Sequence, residues 1–276
     1  MSTTPGMRTY RGRHFTPGRV ALFIVIVAAF LVWQGSQKTP TGPASGTTLN
    51  GAAPASRPSG QTLRVATFNI DGKDDDAIAD TMRGFDVVGF DLIGLQEVHG
   101  GIPFSDSNGA QVLGEKLNLQ WLFAPVERQW WRDAFGDGVL TTLPVQHWQR
   151  FPLANENADS NREVLILRLQ FAGKPLNVII THLERHGDLE NELGTVISLF
   201  ESMEEPAILM GDLNLPPADA QIDALRKTPG VIDPVGDSNP DSFDRIFARG
   251  MRSEASGLID KKASDHPLAW AYLELK

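Results

Sequence analysis

Apolar and polar positions along this chain fall into three regimes. Residues 20–33 are fourteen in a row without a charge. Residues 36–61 are rich in Gly, Ser, Thr, Pro and Ala, with only Lys38 and Arg57 charged. From Leu63 onward, short apolar runs alternate with polar segments. Residues 63–68 alternate and are β-branched, which predicts a strand. Asp74, Asp75 and Asp76 then offer a cap and first-turn acids for a helix through about Arg83. Residues 92–95 read as a short buried strand and 110–117 as a helix. Residues 120–126 and 138–143 read as strands with an aromatic loop between them. Residues 164–171 and 175–181 flank Ala172-Gly173-Lys174, a hairpin signal. Leu189, Leu193, Val196, Ile197, Leu199 and Phe200 share one helical face within 189–203. A strand at 206–210, a helix at 217–227 and strands at 243–248 and 268–275 complete the map. Mixed strands and helices with hairpins predict an α/β fold with mixed or paired sheets and outer helices, not a purely parallel barrel. No internal repeat is visible.

The first regime reads as a targeting segment. Arg8, Arg11, Arg13 and Arg19 precede the apolar run. Fourteen helical residues span about 21 Å, short of a ~30 Å hydrocarbon core, which favours a secretion h-region. The long basic region and the lack of a clean Ala-x-Ala favour an uncleaved signal anchor instead. The expected organisation is a basic cytoplasmic segment at 1–19, a signal anchor or h-region at 20–34, a flexible linker at 35–61 and a folded domain at 62–276. Either reading of the apolar run attaches the chain to, or passes it through, the inner or plasma membrane, with the folded domain outside the cytoplasm.

Composition sets limits on this picture. The chain has 276 residues, 41% of them hydrophobic, enough for one large domain or two small ones. Cysteine is absent, which excludes disulfides, thiolate zinc sites and lipidation at a cysteine. Residues 1–60 hold six Lys/Arg and no acid, leaving 19 basic and 34 acidic residues in 61–276, a net of −15. Such a domain does not grip polyanions by its overall field, although a local basic rim and a metal suffice for a nucleic-acid substrate.

Polar residues with chemical potential end the apolar runs. Glu97 ends a buried strand, where a carboxylate needs a partner or a metal, or is an ordinary strand-end acid. Asp212 and Asn214, in Gly211-Asp212-Leu213-Asn214, face one side if extended and would orient a water, or they form an Asx turn. His266 precedes Pro267. Its orienting acid is better sought in Asp244 than in the adjacent Asp265, since strand neighbours point oppositely. His182 ends one apolar strand and Asn69 another. An interior histidine and a turn former explain each of these alone. Gln129-Trp130-Trp131-Arg132 would stack on bases, lie among lipid headgroups or pack onto the body.

Taken in order, Thr67-Phe68-Asn69-Ile70-Asp71-Gly72, Leu95-Gln96-Glu97-Val98, Thr181-His182-Leu183, Gly211-Asp212-Leu213-Asn214 and Ser264-Asp265-His266 resemble the endonuclease/exonuclease/phosphatase superfamily, the DNase I-like fold. The resemblance covers residues 63–275. It implies a four-layered sandwich of two mixed β-sheets flanked by helices, here preceded by an N-terminal hydrophobic segment. It also implies a phosphoesterase dependent on Mg²⁺, with Mn²⁺ as the alternative. By resemblance Glu97 is the principal metal ligand, Asn69 and Asp71 sit beside metal and phosphate, and Asp265 supports the metal side. Asp212 and Asn214 position or activate the water. His182 contacts the scissile phosphate, and His266, oriented by Asp244, is the phosphate-contacting acid/base. Asn69, His182, Asn214 and Arg162, which matches a recurrent family arginine, line the substrate. Asp137 and Thr142 stand where many members have Asn and Arg. The function implied is an exported or membrane-anchored hydrolase of a phosphodiester, either nucleic acid or a phospholipid headgroup, with no obligate protein partner. The rival is an inactive extracytoplasmic binding module on the same fold, for which intact Glu97, Asp212, Asn214 and His266 have no use.

Overall fold

The computed structural model of the chain describes residues 17–51, 62–71, 75–85, 89–100, 107–128, 134–154, 160–185, 189–215, 218–259 and 263–276. The elements begin with α1 (Pro17–Ser36), β1 (Thr39–Pro40), β2 (Ala44–Gly46), β3 (Thr62–Asn69), α2 (Asp75–Phe85) and β4 (Leu92–His99). Next come α3 (Gly109–Leu117), β5 (Gln120–Arg128), β6 (Ala134–Thr141), β7 (Val145–Pro152), β8 (Glu163–Phe171), β9 (Lys174–His182) and α4 (Leu189–Ser202). The chain closes with β10 (Ala207–Asp212), α5 (Ala220–Lys227), β11 (Val231–Ile232), α6 (Pro234–Ser238), β12 (Asp244–Arg249), β13 (Met251–Ile259) and β14 (Leu268–Leu275).

Two sheets stack face to face. The first has the order β1-β5-β6-β4-β3-β14-β13 and the second β11-β12-β10-β9-β8-β7-β2. Their central strands are buried on both faces, so alternate residues feed different cores. Val65, Leu92 and Val139 meet Leu167, Ile180 and Met210 between the sheets. Ala66, Phe68, Ile93 and Leu95 turn outward to Ile78 and Met82 of α2 and Leu113 of α3. Val164, Ile179 and Leu209 turn outward to Val196 and Phe200 of α4 and Ile222 of α5. This is the expected four-layered α/β sandwich of two mixed sheets flanked by helices. Each sheet contains one central parallel pair, β3 with β4 and β9 with β10. The ends of these pairs supply the polar residues described below.

The pattern missed β7 and β13. The outer strand β13 is exposed at Arg252, Ser253, Glu254 and Ala255, and a strand with solvent on most of its positions carries no apolar alternation to read. The helix expected from 217 begins at Ala220, where the Asp219 side chain accepts from the Gln221 and Ile222 amides. Residues 216–217 and 129–132 lie outside the described residues.

Two further expectations need correction. The flexible linker at 35–61 is not free over its first half. α1 runs through Ser36, β1 then pairs with β5, and β2 pairs with β7. A strap over residues 38–51 thus covers an edge of both sheets. Thr41 N donates to Val126 O (2.8 Å), and Asn50 and Trp121 exchange backbone bonds of 2.9 and 3.0 Å. Buried Arg150 donates to Thr41 Oγ1, Gly42 O and Pro125 O, and to Glu163 Oε2 at 3.2 Å. Edge pairing of this kind uses main-chain groups that every residue carries, so Gly/Ser/Thr/Pro composition does not distinguish it from a loose tether. The expected transmembrane helix is not met either. Among the described residues, no helix is long and apolar enough to cross a membrane. The apolar core of α1, residues 20–33, is the same fourteen-residue run, about 21 Å long.

Candidate active site

The two parallel pairs end at the same rim. In the first sheet β3 ends at Asn69, opposite Gln96 of β4, which places Glu97 one step further along. A bulge between Leu95 and Val98 breaks the β4–β6 ladder there, and Glu97 takes φ 55°. Bulges re-aim side chains in this way. In the second sheet His182, Asp212 and Asp244 stand side by side in register across β9, β10 and β12. Gly211 makes that register attainable. It has φ 151°, and a Cβ built on it would lie 1.8 Å from Thr181 O. Only glycine lets the strands close there. His266 enters just before β14, the antiparallel neighbour of β3.

Asp212, fully buried, is the hub. Its Oδ2 accepts from Asn69 Nδ2 at 3.1 Å and lies 3.6 Å from both His182 Nε2 and His266 Nε2. Asn69 Nδ2 also donates to Glu97 Oε1 (3.0 Å), and Glu97 Oε1 is 3.9 Å from His182 Nε2. His266 Nδ1 meets Asp244 Oδ2 at 2.9 Å. Eight expected residues, Asn69, Glu97, Arg162, His182, Asp212, Asn214, Asp244 and His266, therefore form one connected network that joins both sheets. Asp71 adjoins it through its backbone amide, which donates to Asn69 Oδ1 (3.1 Å). Asp265 is exposed beside His266 and accepts from Ser264 Oγ at 3.3 Å.

Two placements differ from expectation. Asn214 does not reach the rim by strand alternation, because β10 stops at Asp212. The backbone turns with Asn214 at φ 51°, and Asn214 N donates to Asp212 Oδ1 (3.0 Å). The Asx turn and the polar site are thus the same feature. Its amide lies 3.0 Å from His182 Nε2 and 2.7 Å from Leu183 O. Arg162 is buried and aimed at a protein partner. Its Nη1 donates to His182 Nδ1 (2.9 Å), and its Nε is 3.3 Å from Glu184 Oε2. Among the described non-glycine residues, Asp71, Glu97 and Asn214 are three of the five with positive φ. Backbone held in this sparsely populated region concentrates at functional sites.

Burial and charge set the protonation of the rings. Burial pushes His182 well below its ordinary value, and the Arg162 charge adds to this. The ring is neutral; Arg162 Nη1 at Nδ1 and Asn214 Nδ2 at Nε2 are both donors, and the buried, shorter Arg162 contact favours Nδ1 as the acceptor. Burial also opposes the charged form of His266, but the Asp244 hydrogen bond and the charges of Asp244, Asp212 and Asp265 outweigh it and carry it up to about 9. Burial raises Asp244 to about 6 despite the His266 bond. At neutral pH the pair is imidazolium and carboxylate. Asp137, in the place of the usual Asn, is pushed up to about 8 by burial. A neutral Asp carries a hydroxyl where Asn carries an amide nitrogen, so the departure conserves a donor.

The support layer escaped sequence reasoning. Glu163 accepts from Asp137 N (3.0 Å) and pairs with Arg150 at 3.2 Å. Thr67 Oγ1 donates to Gln96 Oε1 (3.0 Å). The one available signal was the charge of Glu163 directly before the apolar run 164–171.

This architecture, with its ends meeting in one polar rim, has known counterparts. The model of the Endonuclease/Exonuclease/phosphatase family matches residues 66–266. The chain belongs to that family. Solved structures share the fold. An endonuclease/exonuclease/phosphatase from Beutenbergia cavernae DSM 12333 is 22% identical with a TM-score of 0.62, covering 78% of this chain and 72% of its own. D. rerio TDP2 complexed with single strand DNA product is 23% identical at TM-score 0.56, covering 77% and 99%. The human Nocturnin catalytic domain with bound sulfate anion is 16% identical at TM-score 0.57, covering 78% and 94%. No curated protein matches the sequence. Family membership makes the chain a phosphoester hydrolase by class.

Proposed function

We propose that the chain is a divalent-metal-dependent phosphodiesterase that hydrolyses its substrate by in-line attack of water. The observation that carries this reading is the convergence of two imidazoles on one buried carboxylate. His182 Nε2 and His266 Nε2 are each 3.6 Å from Asp212 Oδ2, beside half-buried Glu97.

The donor set fits a hard cation. Glu97, Asn69, Asp71 and Asp265 offer only oxygen and amide groups, which suit Mg²⁺ or Mn²⁺. Asp244 Oδ1 is buried without a hydrogen-bond partner among the described residues, so the site has acceptor capacity to spare. Among the described acidic and histidine side chains, the tightest grouping is Asp212, Asp244 and His266. That trio includes a charged ring already bonded to Asp244, so Glu97 with Asn69 is the better cradle. The metal would polarise a phosphoryl oxygen there.

The protein's own groups divide the remaining work. Charged His266, held by Asp244, contacts a non-bridging phosphate oxygen and stabilises the charge that builds on it. Neutral His182, fixed by Arg162, donates from Nε2 to the same phosphate. Asp212 and Asn214 orient the water, and Asp212 takes its proton. The positive-φ turn at Asn214 sets its amide beside His182 before substrate arrives.

Substrate and location are the finer part of the proposal. The D. rerio TDP2 complex holds single strand DNA, which supports nucleic acid as one substrate class. The basic amino-terminal segment and apolar α1 support export of the catalytic body and attachment to a lipid surface, with a phospholipid headgroup as the other class. Hydrolysis of bis-p-nitrophenyl phosphate with Mg²⁺, with Mn²⁺ and with EDTA tests the core reading. Metal-restored turnover is expected, and turnover unaffected by EDTA would overturn it.

A further inference from the structure

α1 and the strap behind it take no part in this chemistry, yet they are joined to it. Leu22, Phe23, Ile24, Val25 and Ile26 are consecutive, and each is more than half exposed. Five consecutive residues go right round a helix. A protein groove covers one stripe of a helix, whereas a helix apolar on all sides suits a medium that is apolar on all sides. Arg8, Arg11, Arg13 and Arg19 precede the apolar run, and residues 1–60 hold no acid, a charge that complements anionic lipid headgroups.

Only Gln37 and Lys38 separate α1 from β1. Lys38 Nζ donates to Ser160 Oγ (2.8 Å) and lies 3.5 Å from Glu127 Oε1. Ser160 N donates to Glu184 Oε2 (3.1 Å), the oxygen that pairs with Arg162 Nε at 3.3 Å. Arg162 in turn holds His182 Nδ1 at 2.9 Å. A short chain of hydrogen bonds and ion pairs therefore leads from the end of α1 to a ring of the active site. Arg150 clamps the strap at Thr41 and Gly42, so the connection is not a swivel.

We propose that α1 lodges in an anionic lipid surface and that the strap holds the rim bearing His182 against it, so that the phosphodiester cleaved is that of a phospholipid headgroup. This rests on the phosphodiesterase reading and adds the source of the substrate. In the reaction a water oxygen bonds to phosphorus and the P–O bond to one esterified alcohol breaks. The leaving oxygen takes up a proton as the attacking water gives one up, yielding an alcohol and a phosphomonoester.

The test uses the full chain with Mg²⁺. Substrates are vesicles of phosphatidylglycerol and phosphatidylcholine in equal parts, vesicles of phosphatidylcholine alone, a single-stranded oligonucleotide and soluble bis-p-nitrophenyl phosphate. Flotation with vesicles and phosphomonoester release are measured. The native chain is expected to float with the mixed vesicles and cleave their headgroups. The double variant Phe23→Glu/Ile26→Glu should lose both while hydrolysing the soluble diester normally. A Gly-Ser-Gly-Ser-Gly-Ser insertion between Gln37 and Lys38 should still float, but headgroup cleavage should fall about tenfold or more as the effective concentration at the rim drops. The proposal is overturned if the native chain does not float or the insertion cleaves vesicles at the native rate. It is equally overturned if oligonucleotide is cut while vesicle lipid is left intact, or if the α1 substitutions abolish a sedimenting dimer in place of flotation. Flotation with no hydrolysis of any diester would instead bring down the phosphodiesterase reading itself.

Discussion

His266 Nδ1 lies 2.9 Å from Asp244 Oδ2, while Asp265, its neighbour in the chain, is exposed. The pair spans the two sheets, Asp244 opening β12 and His266 preceding β14. Removing the ring in His266→Ala should cost on the order of 10²–10⁴ in rate. Asp244→Asn should cost a sizeable part of that, and the double variant little more than His266→Ala alone, because groups that act as one unit are not additive. A kinetic double-mutant cycle measures this. Independent, multiplying effects would remove Asp244 from its role.

The same pair sets a pH window. His266 is raised from 6.5 to about 9, so its charge is complete below its ordinary value and is lost as pH rises through about 9. Stability from the pair follows the same sign: it is fully present below 6.5 and is lost as pH rises from there through about 9. Turnover carried by the charged ring should fall along that limb, and Asp244→Asn should shift the fall toward 6.5. The pH profiles of kcat for the two proteins check this. An alkaline limb unmoved by the substitution would show that His266 does not carry it.

Glu97→Gln keeps shape and burial but removes the charged oxygen beside Asn69. Turnover should drop by more than the roughly 10–100-fold that outer-shell partners of a metal cost, with the far-ultraviolet circular dichroism unchanged. Calorimetric titration with Mg²⁺ should show weakened binding. Near-normal turnover would place the metal elsewhere.

Arg150→Ala withdraws the clamp on the strap and leaves Glu163 buried without its partner. Breaking a buried pair in this way costs about 3–5 kcal/mol. Burial already raises the Glu163 carboxyl well above its ordinary range, so uptake of a proton places the loss toward the lower end. Urea unfolding measures it, and protease susceptibility within residues 38–51 should rise in step. An unchanged midpoint would mean that the strap adds nothing to the stability of the body.

Protease added to intact spheroplasts should remove the catalytic body if the basic segment and α1 direct export. Digestion only after lysis would count against export.

Much of the fold was legible because burial writes a signature. Strands covered on both faces, such as β3, β9 and β10, read as apolar runs, and amphipathic α4 reads as a face. Polar residues at the ends of such runs, from Asn69 to His266, stood out because uncompensated polar groups are costly there. The ordered motifs named the residues that meet at the rim, and His266 pairs there with Asp244 and not with its neighbour Asp265. The sequence could not show that Arg162 addresses His182, because aim depends on which strands become neighbours across the sandwich. Asn214 and Glu97 reach the rim through positive-φ turns and a bulge, features set by close strand packing and not by local propensity. The outer strand β13, the half-exposed strand β7 and the strap over 38–51 left no trace, because they are held by main-chain hydrogen bonds and by buried Arg150. Those interactions come into being only when distant segments meet, and no pattern of side chains along the chain records them in advance.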